Sequence, residues 1–173
     1  KDSVARVARF GYDALELYGE PDEYDPAEVK KLCADHGVGV SSICSIYTAQ
    51  RDLASPQKRV RESAVEYVKR VADLAAEVGC PVIIVAPTAC MKMTPWEDPK
   101  EEWGWAVESI RKGGEYAGSA GVNIAIEAWN RYETYFLNRL DQCLGLLREV
   151  DLPNAGVMGD TFHTVSYTHL RAH

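Results

Sequence analysis

Three carboxylates stand near the ends of short apolar runs: Glu16 in DALEL, Glu127 in NIAIEAW and Asp160 in VMGDTFH. A buried carboxylate is costly unless something pairs with it. Glu127 is therefore either an ordinary core acid with an internal partner or a group that meets a cation. Asn130, Arg131 and Glu133 follow it at once, and His163 follows Asp160 by three residues. Carboxylates and an imidazole are the side chains that bind divalent ions and move protons.

The elements that must position these groups alternate along the chain. Residues 12–17 form a short alternating strand. Asp25 is the expected N-cap of a helix, with Pro26 at its first position, Glu28 at its third, and Gly37 closing it. A second strand, VGVSSICS, follows. Ser55-Pro56 opens a long helix that ends at Gly79 and carries an apolar stripe of Val60, Ala64, Val68, Val71, Ala75 and Val78. The third strand, PVIIVAP, is apolar throughout, as expected when helices cover both faces. Asp98-Pro99 opens a helix that runs to Gly121 and contains weak spots in RKGGEYAG. VNIAIEAW is the fourth strand, Asn138 is the expected cap of RLDQCLGLLREV, and NAGVMGD is the fifth strand. The opening residues, KDSVARVARFG, read as the last turns of a helix with Gly11 just beyond its end.

Strand–helix alternation of this kind implies a parallel sheet. An open doubly wound sheet and a segment of a (β/α)8 barrel both satisfy it. The absence of GxGxxG after a strand argues against a dinucleotide-type sheet. In the fourth strand Ile124, Ile126 and Ala128 share one face, and Asn123, Ala125, Glu127 and Trp129 share the other. Ala14 likewise lies with Glu16, and Gly156 and Met158 with Asp160. Small neighbours and strand-end carboxylates on one face suit a barrel interior near its mouth, where barrel enzymes place their chemistry. The predicted fold is α/β, a partial (β/α)8 TIM barrel over residues 1–164, and the acids are read as a site.

Bulk properties exclude several function classes. A net charge of −7 opposes binding to nucleic acid or to an anionic membrane surface. Five widely spaced cysteines without a CxxC pair read as reduced thiols of a cytoplasmic protein, not as a disulfide framework or a zinc cluster. No apolar run approaches the roughly 20 residues of a membrane span. Residues 165–173, VSYTHLRAH, lack apolar periodicity and resemble a translated sequencing adapter, so they are expected to be non-native and His169 and His173 receive no role.

Taken together, GYDALEL, LAAEVGCPVIIV, IAIEAWNRYETYFLN and VMGDTFH resemble the xylose isomerase-like sugar isomerase/epimerase barrels, and most closely the ketose 3-epimerases of the D-tagatose/D-psicose type. The resemblance runs from residue 1 to about 164. Where the usual motif has Pro or a small aliphatic residue after the Glu, this chain has Ala128-Trp129. The resemblance implies a divalent ion (Mn2+, Co2+ or Mg2+) held by Glu, Asp, His and Glu, the first two matching Glu127 and Asp160. It implies that Glu127 is also one of two catalytic carboxylates, and that Glu133 and His163 bind the substrate. The remaining ligands belong to the seventh and eighth strands, so the chain is expected to span strands two to six, with the first and last two missing.

The implied activity is epimerisation of a small sugar, a ketose or sugar phosphate, by proton transfer through a metal-stabilised enediolate. The resemblance implies that the parent protein is an isomerase and a homo-oligomer, and the 173-residue chain alone is expected to be inactive and aggregation-prone. On an extended strand, residues three apart face opposite ways. His163 therefore reaches an ion on Asp160 only if the chain bends, and contact with substrate is the easier geometry. Rival readings on the same fold are an inosose dehydratase-like lyase, a hydroxypyruvate isomerase-like enzyme, and an endonuclease acting at abasic DNA. The last would want several His ligands and a basic face. A non-catalytic sugar-binding barrel is the rival from another class, and it predicts loss of the carboxylates. Trp96 and Trp129 are the loop aromatics placed to line a sugar pocket.

Overall fold

The computed structural model describes residues 2–164; the tail assigned above as non-native lies outside them. Five parallel strands form one sheet in sequential order: β1 (Ala14–Gly19), β2 (Gly39–Ser45), β3 (Val82–Val85), β4 (Asn123–Glu127) and β5 (Ala155–Met158). The helices are α1 (Asp2–Arg9), α2 (Pro26–His36), α3 (Lys58–Val78), α4 (Pro99–Ser119), α5 (Leu140–Val150) and a short turn, α6 (Thr161–Thr164).

Helix ends follow local chemistry. Asp25 caps α2 by accepting from the backbone N–H of Ala27 and Glu28, and Gly37 ends that helix with a positive φ of 66°. Asp98 caps α4 by accepting from the Lys100 N–H. Two expected starts shift. The long helix begins at Lys58 and not at Ser55-Pro56, because the Ser55 Oγ accepts from the Gln57 N–H, and the Ser55 carbonyl from Arg61. Asn138 is not the cap of α5. Its side-chain amide turns back and donates to the carbonyls of Trp129 and Thr134, and the Gln142 Oε1 accepts from the N–H groups of Asn138 and Arg139.

One face of the sheet carries Ile43, Ile83, Ile124 and Ile126, each at most 1% exposed, within the core that includes α3, α4 and α5. The other face is concave and bears the acids. The third strand departs from expectation here: Ile84 lines the concave pocket, so its apolar run reflects helices on one side and a pocket floor on the other. The glycines of RKGGEYAG, read as weak spots, are points of close approach. A Cβ on Gly113 would lie 2.8 Å from Val68 Cγ1, and one on Gly114 would lie 2.6 Å from Leu152 Cδ1.

Above the C-terminal ends of the strands, the loops after β2, β3 and β4 meet at a buried ammonium. Lys92 Nζ lies 3.1 Å from Asp52 and 2.8 Å from Glu102, and all three side chains are fully buried. Glu102 also accepts from the Tyr135 hydroxyl and from the N–H groups of Trp96 and Glu97. Burial acts to raise the Glu102 pKa, and these bonds outweigh it, whereas at Asp52 burial prevails and raises the pKa. Lys92 further bridges Thr134, and the Met91 N–H donates to the Glu133 carbonyl at 2.7 Å.

Removing one partner from a buried ion pair strands the others. Lys92→Met is expected to lower stability by about 3–5 kcal/mol in urea denaturation. Gly113→Ala is expected to lower it by about 1–3 kcal/mol despite better helix propensity, because the added methyl meets Val68; an unchanged midpoint would refute the close packing of α3 on α4.

Candidate functional site

Pairing of β4 with β5 sets Ala125 beside Gly156 and Glu127 beside Met158. Since side chains alternate, Ala125, Glu127, Gly156, Met158 and Asp160 project to the same side, with Asp160 two residues beyond the partner of Glu127. Both carboxylates therefore end up over the concave face.

His163 joins them because the chain bends immediately after Asp160. The Asp160 Oδ1 accepts from the Phe162 N–H at 2.7 Å, which starts the turn of α6 and swings the imidazole inward. The extended geometry assumed from the sequence does not hold at this point. Glu127, Asp160 and His163 each offer a ligand atom within 4.8 Å of the others.

The imidazole is held by a residue that the sequence reading quoted without giving it a role. The backbone N–H of Asn130 donates to His163 Nδ1 at 3.3 Å, and the Asn130 side-chain amide lies 2.9 Å from the same nitrogen. The amide also donates to Glu133 Oε1 at 2.8 Å, while Asn130 Oδ1 accepts from the Tyr132 N–H. One buried Asn thus positions both expected substrate-binding residues. Its only sequence signal is its place three residues after Glu127. With Nδ1 accepting, the neutral ring carries its proton on Nε2, and that nitrogen faces Glu127 Oε1 at 3.8 Å.

Glu127, Glu133, Asp160 and His163 line a pocket of about 310 Å3, together with Glu16, Cys44, Tyr47, Ile84, Cys90, Trp129 and Met158. Glu16 is exposed and accepts from the Ser42 hydroxyl at 2.5 Å. Trp129 lines the pocket as expected of it; Trp96 does not, and packs its ring 4.5 Å from Lys92 Nζ. A larger groove of about 440 Å3 between α3 and α4 bears surface pairs such as Lys69–Glu66 and Lys112–Glu108, the pattern of a solvated helix face.

The electrostatics separate Glu127 from the other buried acids. It is 5% exposed, and the His163 ring nitrogen lies 3.8 Å from its Oε1. Burial raises its pKa to about 7; the Trp129 N–H opposes the rise, and the negative charges of Asp160, Glu16 and Glu133 add to it. Like charges gathered around a desolvated carboxylate fit a divalent cation, and the donor set of carboxylates beside an imidazole suits hard or borderline ions.

A family model described as xylose isomerase-like TIM barrel matches residues 4–172. A D-psicose 3-epimerase from Ruminiclostridium cellulolyticum is 30% identical over 92% of this chain and 56% of its own length. A 3-dehydroshikimate dehydratase from Pseudomonas putida is 27% identical over 95% of the chain and 25% of its own length. The crystal structure of a D-allulose 3-epimerase from a Methylomonas species, in complex with D-allulose, superposes with a TM-score of 0.90 at 27% identity, covering 96% of this chain and 58% of that one. The chain spans just over half the length of the epimerases it matches, and its five parallel strands are part of the same barrel. Among the described residues no helix is long and apolar enough to cross a membrane. The chain belongs to the xylose isomerase-like TIM barrel family.

Proposed function

We propose that the protein carrying this chain is a metal-dependent sugar epimerase acting on a free or phosphorylated ketose, with 3-epimerisation as its reaction. The observation that carries the reading is the convergence of Glu127, Asp160 and His163 within 4.8 Å over a concave pocket. Glu127 and Asp160 would hold a divalent ion. When bound, such an ion would spread the negative charge that develops as the proton beside a ketose carbonyl is removed.

The chain's own residues supply the remainder. Glu127, buried and raised toward neutrality, suits a group that takes a proton and gives it back. His163 presents a ring N–H to the pocket and so donates to a substrate oxygen, in keeping with a substrate-binding role. Glu133, fixed through Asn130, accepts from a sugar hydroxyl. Return of the proton from the opposite side of the substrate needs a second carboxylate, which we place in the part of the protein outside this chain.

The D-psicose 3-epimerase is 30% identical over 92% of this chain and the 3-dehydroshikimate dehydratase 27% identical over 95%, so the reaction must be told apart by its product. A dehydratase would begin with the same proton removal but would expel water. Incubation of the full-length protein with Mn2+ and a ketose in D2O is expected to give the C3 epimer labelled at that carbon. A dehydrated product, or sugar recovered without label, would overturn the reading. Glu127→Gln is expected to slow the reaction by about 10²- to 10⁴-fold, measured as initial rate.

The raised pKa of Glu127 sets a stability prediction for the metal-free protein. Between the ordinary value of 4.5 and about 7 the folded state holds a proton that the unfolded state has lost. Stability therefore falls as pH rises through this window, by about 3 kcal/mol in full. Urea denaturation in EDTA at pH 5 and pH 8 checks this, and Glu127→Gln is expected to flatten that part of the dependence.

A further inference from the structure

Met91 holds a backbone conformation that residues with side chains rarely adopt, with a φ of 67°. It is the third residue of a turn closed by the Lys92 N–H, which donates to the Ala89 carbonyl at 3.3 Å, and a positive φ there ordinarily calls for glycine. The Met91 side chain is 66% exposed, so its own packing does not explain the conformation. The turn persists because both of its ends are fixed. The Cys90 N–H donates to the Tyr47 carbonyl at 3.2 Å, and the Lys92 side chain is buried between Asp52 and Glu102. What the turn gains is the direction of one N–H. That of Met91 donates to the Glu133 carbonyl at 2.7 Å, while the Glu133 N–H donates to the Asn130 carbonyl at 3.0 Å. Two residues on, the Tyr135 N–H donates to the Lys92 carbonyl at 3.1 Å and the Tyr135 hydroxyl to Glu102. The backbone of Glu133 is thus gripped from both sides.

We infer that the turn at Met91 is a positioning element for Glu133. Lys92, held by its buried partners, keeps Met91 in the left-handed conformation, and the Met91 N–H sets the Glu133 backbone so that its carboxylate stands at the pocket before the sugar arrives. The inference rests on the reading of Glu133 as a substrate-binding group given above. Its strain is stored where the loops after β3 and β4 meet, and it acts on binding of the sugar, not on the proton transfer at Glu127.

The test uses the full-length protein with Mn2+ and a ketose. Met91→Ile puts a β-branched residue where φ is positive and is expected to raise KM about 10-fold, with kcat within about 2-fold. Met91→Gly takes the same conformation without strain and is expected to keep the unaltered KM. A KM unmoved by Met91→Ile would overturn the inference, even if the urea midpoint fell, since the turn would then serve stability alone. A KM raised equally by Met91→Gly would also overturn it, because the methionine side chain and not the turn would then meet the sugar. In a Glu133→Ala background Met91→Ile is expected to add nothing to KM, and a further rise there would show that the turn does not act through Glu133. If Met91→Ile does not fold, amide exchange in the unaltered protein decides. The Tyr135 N–H is expected to be as protected without sugar as with it, and protection that appears only with sugar would overturn the inference. The underlying reading fails differently: Glu133→Ala with an unaltered KM removes Glu133 from substrate binding, whatever the turn does.

Discussion

A single ammonium group ties together the three loops that build the mouth of this sheet. Lys92 satisfies Asp52 and Glu102 from a position with no solvent contact, and its neighbour Thr134 carries the constraint into the loop that holds Glu133. A buried charge of this kind costs several kcal/mol if left alone and persists because the chain answers it internally. Glu127 presents the same cost with a different answer. Among the described residues the charges around it are mainly of its own sign, and an indole N–H and an imidazole stand opposite. The contrast between a balanced cluster and an unbalanced one is what separates scaffold from candidate site here.

Much of the frame was legible in the sequence because it rests on local signals. Asp25-Pro26, Gly37, Gly79 and Asp98-Pro99 punctuate helices through their own backbone chemistry, and period-2 alternation put Ala125 and Glu127 on one face. Local signals misled where a polar side chain had a better offer elsewhere. Asn138 resembles a cap, yet its amide serves two carbonyls of the preceding loop. Ser55 is buried and engaged in a turn before the helix begins.

The candidate site divides in the same way. Glu127 and Asp160 were visible because strand ends and alternation fix them. The approach of His163 was not, since it depends on Asp160 capping a turn of its own. The contacts of Asn130 with His163 and of Lys92 with Asp52 were invisible for a stronger reason: they span 33 and 40 residues of sequence, and no periodicity encodes such a meeting. Rigid strands thus set where the carboxylates stand, and loop hydrogen bonds set which atoms they offer.

The segment between β4 and α5 closes on itself, through Trp129 N–H to the Leu137 carbonyl and through the Asn138 amide to Trp129 and Thr134. It behaves as a cassette, with its internal shape determined by its own bonds and its seat in the barrel set at Asn130, Glu133, Thr134 and Tyr135. A unit of that kind can diverge or be exchanged between barrels while the strands beneath it stay in register. Variation on this scaffold then requires no change in the sheet, only a new insert that keeps the same anchoring positions.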